Sequence, residues 1–225
     1  MSNPGAALQA SEAAPDSLGT APRRPSRLLF VRHGQSTWND EHRIQGQLDP
    51  PLSERGQGQA RAVAERLAGV RPVAFYTSDL RRCRETAEPI AERIGLQPTP
   101  LAELREVALG EWEGRTREEL ERDFPEEWER WARHPSWDIV PGGEGAAAFE
   151  RRVETTVREL FERHPQGDIL AVTHGGVIQV KLGLVAGRGS DGIFPFVIDN
   201  ASLTIVRRTG ERLVVTAVND TCHLS

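Results

Sequence analysis

Two short apolar runs in this chain end on the same dipeptide, and that narrows the folds open to it more than any other feature. Leu28-Leu29-Phe30-Val31 passes directly into Arg32-His33-Gly34, and Ile169-Leu170-Ala171-Val172 passes into Thr173-His174-Gly175-Gly176. Each run is too short for a helix, and unbroken apolar character over such a length is the mark of a strand buried on both faces. A third run, Val73-Ala74-Phe75-Tyr76, stands just before Ser78-Asp79. Amphipathic stretches lie between them. Ser53 can cap a helix through about Leu67, and Ser78 or Asp79 can cap another reaching toward Ile94. Phe149, Val153, Val157, Leu160 and Phe161 form one apolar stripe at helical spacing. Strand and helix thus alternate, which predicts an α/β fold of three layers, α/β/α, around a mostly parallel sheet. Residues 203–207 and 213–218 flank Thr209-Gly210 and predict an antiparallel hairpin at the sheet edge. Ligands of such sheets bind beyond the C-terminal ends of the strands, where His33 and His174 fall.

Residues 1–26 carry Ala, Pro, Ser and Gly with scattered charge and no strand or helix period, so they read as a disordered N-terminal tail. Residues 27–225 read as one catalytic domain with a short helical insertion at about 116–145. Glu12 and Asp16 interrupt what would have to be the apolar stretch of a signal peptide. No apolar run approaches a bilayer span, so no membrane association is expected. The net charge of −5 comes without a block of like charges, which leaves no basic face for nucleic acid. Cys83 and Cys222 lie far apart without metal-ligand spacing, which excludes a disulfide scaffold and a zinc knuckle and fits a cytoplasmic protein. A homodimer is left open.

The chemistry concentrates at the strand ends. Glycine after each histidine permits close backbone approach to a ligand, and a helix opening at Gly175 points free N–H groups at an anion. Ser78-Asp79-Leu80-Arg81-Arg82 opens a helix after the third strand, so that Arg82 and Arg32 can grip a phosphoryl group together. Two guanidiniums beside His33 would depress its pKa and keep a lone pair available near neutral pH. A zinc site built from His33, His174 and Glu106 is disfavoured by those same cations, so neither metal nor cofactor is expected. His42, His134 and His164 read as solvated or capping residues, and His223 is left open. Trp112, Trp128, Trp131 and Trp137 read as packing residues of the insertion, with Trp137 nearest the pocket mouth.

From Leu28 to about Leu224 the chain resembles the histidine phosphatase superfamily, which includes the cofactor-dependent phosphoglycerate mutases. The resemblance rests on Arg32-His33-Gly34, on Ser78 to Ala87, on His174-Gly175, and on the segment from Leu104 through Glu106 and Gly110 to Trp112-Glu113-Gly114. It implies a phosphoglycerate mutase-like fold. It also implies a nucleophilic His33, Arg32 and Arg82 on the phosphate, His174 completing the pocket, and Glu106 as proton donor, in preference to Glu111 or Glu113 on the exposed side of a turn. Ser36, Asn39, Gln45, Gly46 and Gly175 are the candidate substrate-binding residues.

Within the family, Gln45 to Leu52 and Pro141-Gly142-Gly143-Glu144 are similar to the phosphatase branch, although Gly145 replaces the usual hydroxyl residue. Gly176 stands where mutases generally have Asn, and Asn219 to Leu224 resembles the ending of broad-specificity and α-ribazole phosphatases. The resemblance therefore implies a metal-independent phosphomonoesterase working through phosphohistidine on small phosphorylated metabolites. The alternatives are a phosphoglycerate mutase and, less favoured, a non-catalytic module that binds phospho-ligands.

Overall fold

A computed structural model describes residues 25–189 and 195–225. Residues 1–24, most of the expected tail, lie outside the described residues. Pro25 and Ser26, assigned to that tail by composition, are already part of the fold: Pro25 bridges to Gln166, and the buried Ser26 hydroxyl donates to the His164 carbonyl at 2.8 Å.

The expected strands are β1 (Arg27–Arg32), β2 (Ala74–Ser78) and β4 (Asp168–Thr173), joined by a short edge strand β3 (Thr99–Leu101) and by the hairpin β5 (Leu203–Thr209) and β6 (Arg212–Asp220). The sheet order is β3-β2-β4-β1-β5-β6. The first four of these run parallel, β5 pairs antiparallel with β1, and β6 pairs antiparallel with β5. Alternate residues of β1 serve opposite layers, as the strand period of two requires. Leu28 and Phe30 pack with Phe149, Val153 and Val157 of α6 (Ala146–Arg163) and with Val177 and Ile178 of α7 (Gly175–Val185). Leu29 and Val31 pack with Val63 of α2 (Glu54–Arg66) and with Cys83 and Ile90 of α3 (Arg81–Ile94). A strand apolar on both faces is thereby covered on both faces.

Register places the chemistry. Arg27 pairs with Asp168 and each following residue with the next, up to Arg32 with Thr173. The residues that leave the two strands, His33 and His174, therefore emerge side by side, and the His33 amide donates to the Thr173 carbonyl at 2.9 Å.

Local signals are met at α2, where Ser53 accepts from the Gly56 amide, and are displaced at α3. Neither Ser78 nor Asp79 caps that helix; its N-cap is Leu80, without a side-chain bond. Asp79 is held by Arg105 at 2.7 Å, and Ser78 faces His174. The insertion carries α4 (Arg117–Asp123) and α5 (Pro125–Arg133). Gly145 gives α6 no capping hydroxyl, and the Asp138 carboxylate reaches across instead to accept from the Ala146 amide at 2.8 Å.

Candidate active site

His33 stands at the exit of β1, only 2 % exposed. Its Nδ1 lies 2.7 Å from the Gly34 carbonyl, an acceptor, so Nδ1 carries the hydrogen and Nε2 carries the lone pair. Nε2 makes no hydrogen bond to the described residues. Burial first, then Arg82 and Arg32, hold the His33 pKa well below the ordinary histidine value. A neutral imidazole with a free nitrogen is the form a nucleophile needs.

His174 is differently placed. Its ring centroid is 5.2 Å from that of His33, but both of its nitrogens are engaged. Arg82 donates to Nδ1 at 3.1 Å, and Nε2 lies 2.9 Å from the Ser78 hydroxyl. Burial and then Arg82 keep it neutral as well. Cys83, against the same ring, has its thiol pushed up to about 12 by burial, which leaves it inert.

Arg82 enters from the first turn of α3 and is 1 % exposed. It donates to the carbonyls of Leu48 and Gly46 at 2.7 and 2.8 Å. Gly46 can present that carbonyl because it sits at φ +51°, where a side chain is strained and a Cβ would also meet Glu113. Arg32 donates to the Ile198 carbonyl. Neither guanidinium is ion-paired to a carboxylate among the described residues, and the Nε atoms of both are buried without a partner there. Two buried cations without counter-ions favour a bound anion strongly.

Glu106 faces them from the loop after β3. Its Oε2 accepts from the Gly176 amide at 3.1 Å, at the start of α7, and its Oε1 accepts from the Val107 amide at 3.1 Å. The loop is clamped from behind. Arg152 of α6 grips Glu144 through two bonds at 2.8 and 2.6 Å and also donates to the carbonyls of Arg105 and Glu106. Glu111 is exposed on its turn, as expected, whereas Glu113 is half-buried and holds the amides of Gln47 and Leu109, both at 2.9 Å.

One cavity of about 330 Å³ brings together Arg32, His33, Asn39, Gln45, Gly46, Arg82 and Glu106. His174, Gly175 and Ser36 are not on its wall. Gly175 lies against the Arg32 guanidinium, and Ser36 is fully buried, capping α1 (Thr37–Asp40) and donating to Gln45 at 2.8 Å. Ser36 therefore supports two wall residues, Asn39 and Gln45, and does not itself line the cavity. Trp112, Trp128, Trp131 and Trp137 line the same cavity, so all four reach the site and not only Trp137. Sequence reasoning missed Asn200, whose amide donates to the His33 carbonyl at 3.1 Å behind the wall, and Arg43, which lines the cavity. His164 is bonded to the Tyr76 hydroxyl at 2.8 Å, and His223 to the Ala201 carbonyl at 2.9 Å, both away from the cavity. Among the described residues no group of three or more His, Cys, Asp or Glu is gathered as a metal site.

A buried imidazole with a free nitrogen, two arginines without a carboxylate partner among the described residues, and a carboxyl group suit phosphoryl transfer. The sequence profile of the histidine phosphatase superfamily (branch 1) matches residues 28–221. The chain belongs to that superfamily. Phosphoserine phosphatase 1 of Hydrogenobacter thermophilus is 34 % identical over 198 residues, covering 88 % of this chain and 94 % of that protein. Among solved structures, mycobacterial glucosyl-3-phosphoglycerate phosphatase in complex with VO3 superposes with a TM-score of 0.77 at 33 % identity, over 87 % of this chain and 99 % of that one. YhfR of Bacillus stearothermophilus superposes with a TM-score of 0.82 at 30 % identity, over 89 % of this chain and all of that one. The superfamily motifs thus sit on the fold expected for them, and no described helix is long and apolar enough to cross a membrane.

Proposed function

We propose that this chain is a phosphomonoester phosphatase of small phosphorylated metabolites, working without metal through a phosphohistidine on His33. The observation that carries the reading is the convergence of a neutral imidazole with two buried arginines, where among the described residues Nε2 is free and the arginines lack counter-ions. In the first step Nε2 attacks phosphorus while the bond to the ester oxygen breaks, and Glu106 gives its proton to the departing alkoxide. Arg32 and Arg82 hold the transferring oxygens throughout. In the second step water attacks phosphorus, its proton passes to the Glu106 carboxylate, and the N–P bond breaks to return neutral His33 and phosphate. His174 orients Arg82 and is unsuited to the nucleophile's role, because both its nitrogens are engaged. Glu106 is preferred to Glu113 as the acid because it lines the cavity that holds His33, whereas Glu113 does not. One catalytic domain over 27–225, in the cytoplasm, accords with two free cysteines.

The test is phosphate release from a panel of phosphomonoesters, with and without excess EDTA, including 3-phosphoglycerate primed with 2,3-bisphosphoglycerate to detect isomerisation. Release that persists in EDTA and outpaces isomerisation is expected. Loss in EDTA with recovery on adding a divalent ion, or isomerisation faster than every hydrolysis, overturns the reading.

A further inference from the structure

Two unlike sets of residues line the cavity that holds His33. One is ionic; the other is Trp112, Trp128, Trp131 and Trp137 with Val107 and Leu109. Trp128 and Trp131 lie three residues apart on α5 and so share one helix face. Trp112 stands 6.1 Å from the Trp128 ring and 5.4 Å from that of Trp131, which is 5.3 Å from Trp137. The four indoles thus form one continuous aromatic surface, Trp112 and Trp137 buried and the two on α5 half-buried. With about 330 Å³ the cavity falls in the range of small-molecule sites, roughly 300–1,000 Å³, and has room beyond a phosphoryl group.

Charge on the wall narrows what fits. Beyond Arg32, Arg82 and Glu106 the sole charged lining residue among the described residues is Arg43. Its guanidinium is already engaged by the Gly114 carbonyl at 2.8 Å, Glu119 at 3.1 Å and Glu41 at 3.3 Å. A substrate carboxylate beside the indoles would lose its water against their faces and meet no uncommitted cation among the described residues.

We propose that this aromatic part of the cavity is an apolar subsite for the leaving group, so that the preferred substrates are monoesters of neutral alcohols bearing an aromatic or flat apolar group. The proposal rests on the phosphatase reading above. It sets the chain apart from relatives named for phosphoserine and glucosyl-3-phosphoglycerate.

The experiment compares kcat/KM for 2-phenylethyl phosphate, ethyl phosphate, O-phosphoserine and 3-phosphoglycerate, whose leaving groups are all aliphatic alkoxides, so that ring burial and charge separate them. Burying the phenyl group should favour 2-phenylethyl over ethyl phosphate by about 10- to 100-fold, and over both acids. Trp131→Ala should shrink the phenylethyl-to-ethyl ratio by about tenfold, and Trp131→Phe should keep most of it. Inhibition by 2-phenylethylphosphonate against ethylphosphonate gives the same ratio without chemistry, and with the wild-type ratios it decides the matter even if a variant fails to fold. Hydrolysis with a ratio near one, or with the acids preferred, overturns the subsite and leaves the phosphatase reading standing. No release from any of the four overturns both.

Discussion

Gly176→Ala should separate catalysis from stability. Gly176 is the second residue of α7, and a Cβ there would lie 2.3 Å from Glu106 Oε1 and 3.1 Å from its Cδ. Non-bonded heavy atoms rest at about 3.5 Å, so the carboxylate must retreat by roughly 1 Å. The obstacle is the end of a flexible side chain, so the backbone can stay; Gly176 lies in the first turn, where alanine gains little, and the retreating carboxylate releases the Gly176 amide, a loss of about 1 kcal/mol. The variant should therefore stay folded and melt within a few degrees of wild type. A displacement of about 1 Å in a reacting group costs on the order of 10²-fold in rate. The assay is steady-state hydrolysis of 2-phenylethyl phosphate beside thermal unfolding by circular dichroism. A folded variant whose kcat stays within about threefold of wild type would refute the reasoning, because Glu106 would then not need the place that glycine leaves for it.

Glu106→Gln should cost alkyl phosphate turnover on the order of 10²–10⁴, the usual worth of general acid catalysis. With p-nitrophenyl phosphate, whose phenolate leaves unaided, the same variant should give a burst of nitrophenol followed by slow release; absence of the burst alongside intact alkyl turnover would move the acid elsewhere. His33 and His174 are both held neutral below the ordinary histidine value, first by burial and then by Arg82. The unfolded chain therefore takes up protons that the folded one does not, so stability present above about pH 6.5 falls as pH drops, each histidine contributing up to about 1.4 kcal/mol per pH unit. Urea midpoints measured between about pH 7 and pH 5 should decline, and a flat series would contradict that environment.

The parts of the site that the sequence announces are those carried by strand ends. His33 and His174 follow apolar runs whose burial requires a parallel pair, and the pair's register sets the two rings side by side. Arg82 was legible from its place after β2. The helix start beside it was misread, because Ser78 and Asp79 look like caps locally and are claimed by His174 and Arg105 from distant segments. Strand β3, three residues with Pro100 at its centre, has too little apolar pattern to register as a strand. The tryptophans read as packing because helical spacing says only that they share a face, and the cavity on the other side of that face belongs to the tertiary fold. Asn200 carries no local signal at all; only β1 and the chain before β5 meeting in space bring its amide to the His33 carbonyl.

Direct capture of the phosphoenzyme tests the central claim. Wild-type protein mixed with 32P-labelled monoester and quenched within milliseconds should carry acid-labile, base-stable phosphate, recovered after digestion on the peptide containing His33 and absent from His33→Ala. Label on the His174 peptide, or full turnover with no label on any histidine, would contradict the account.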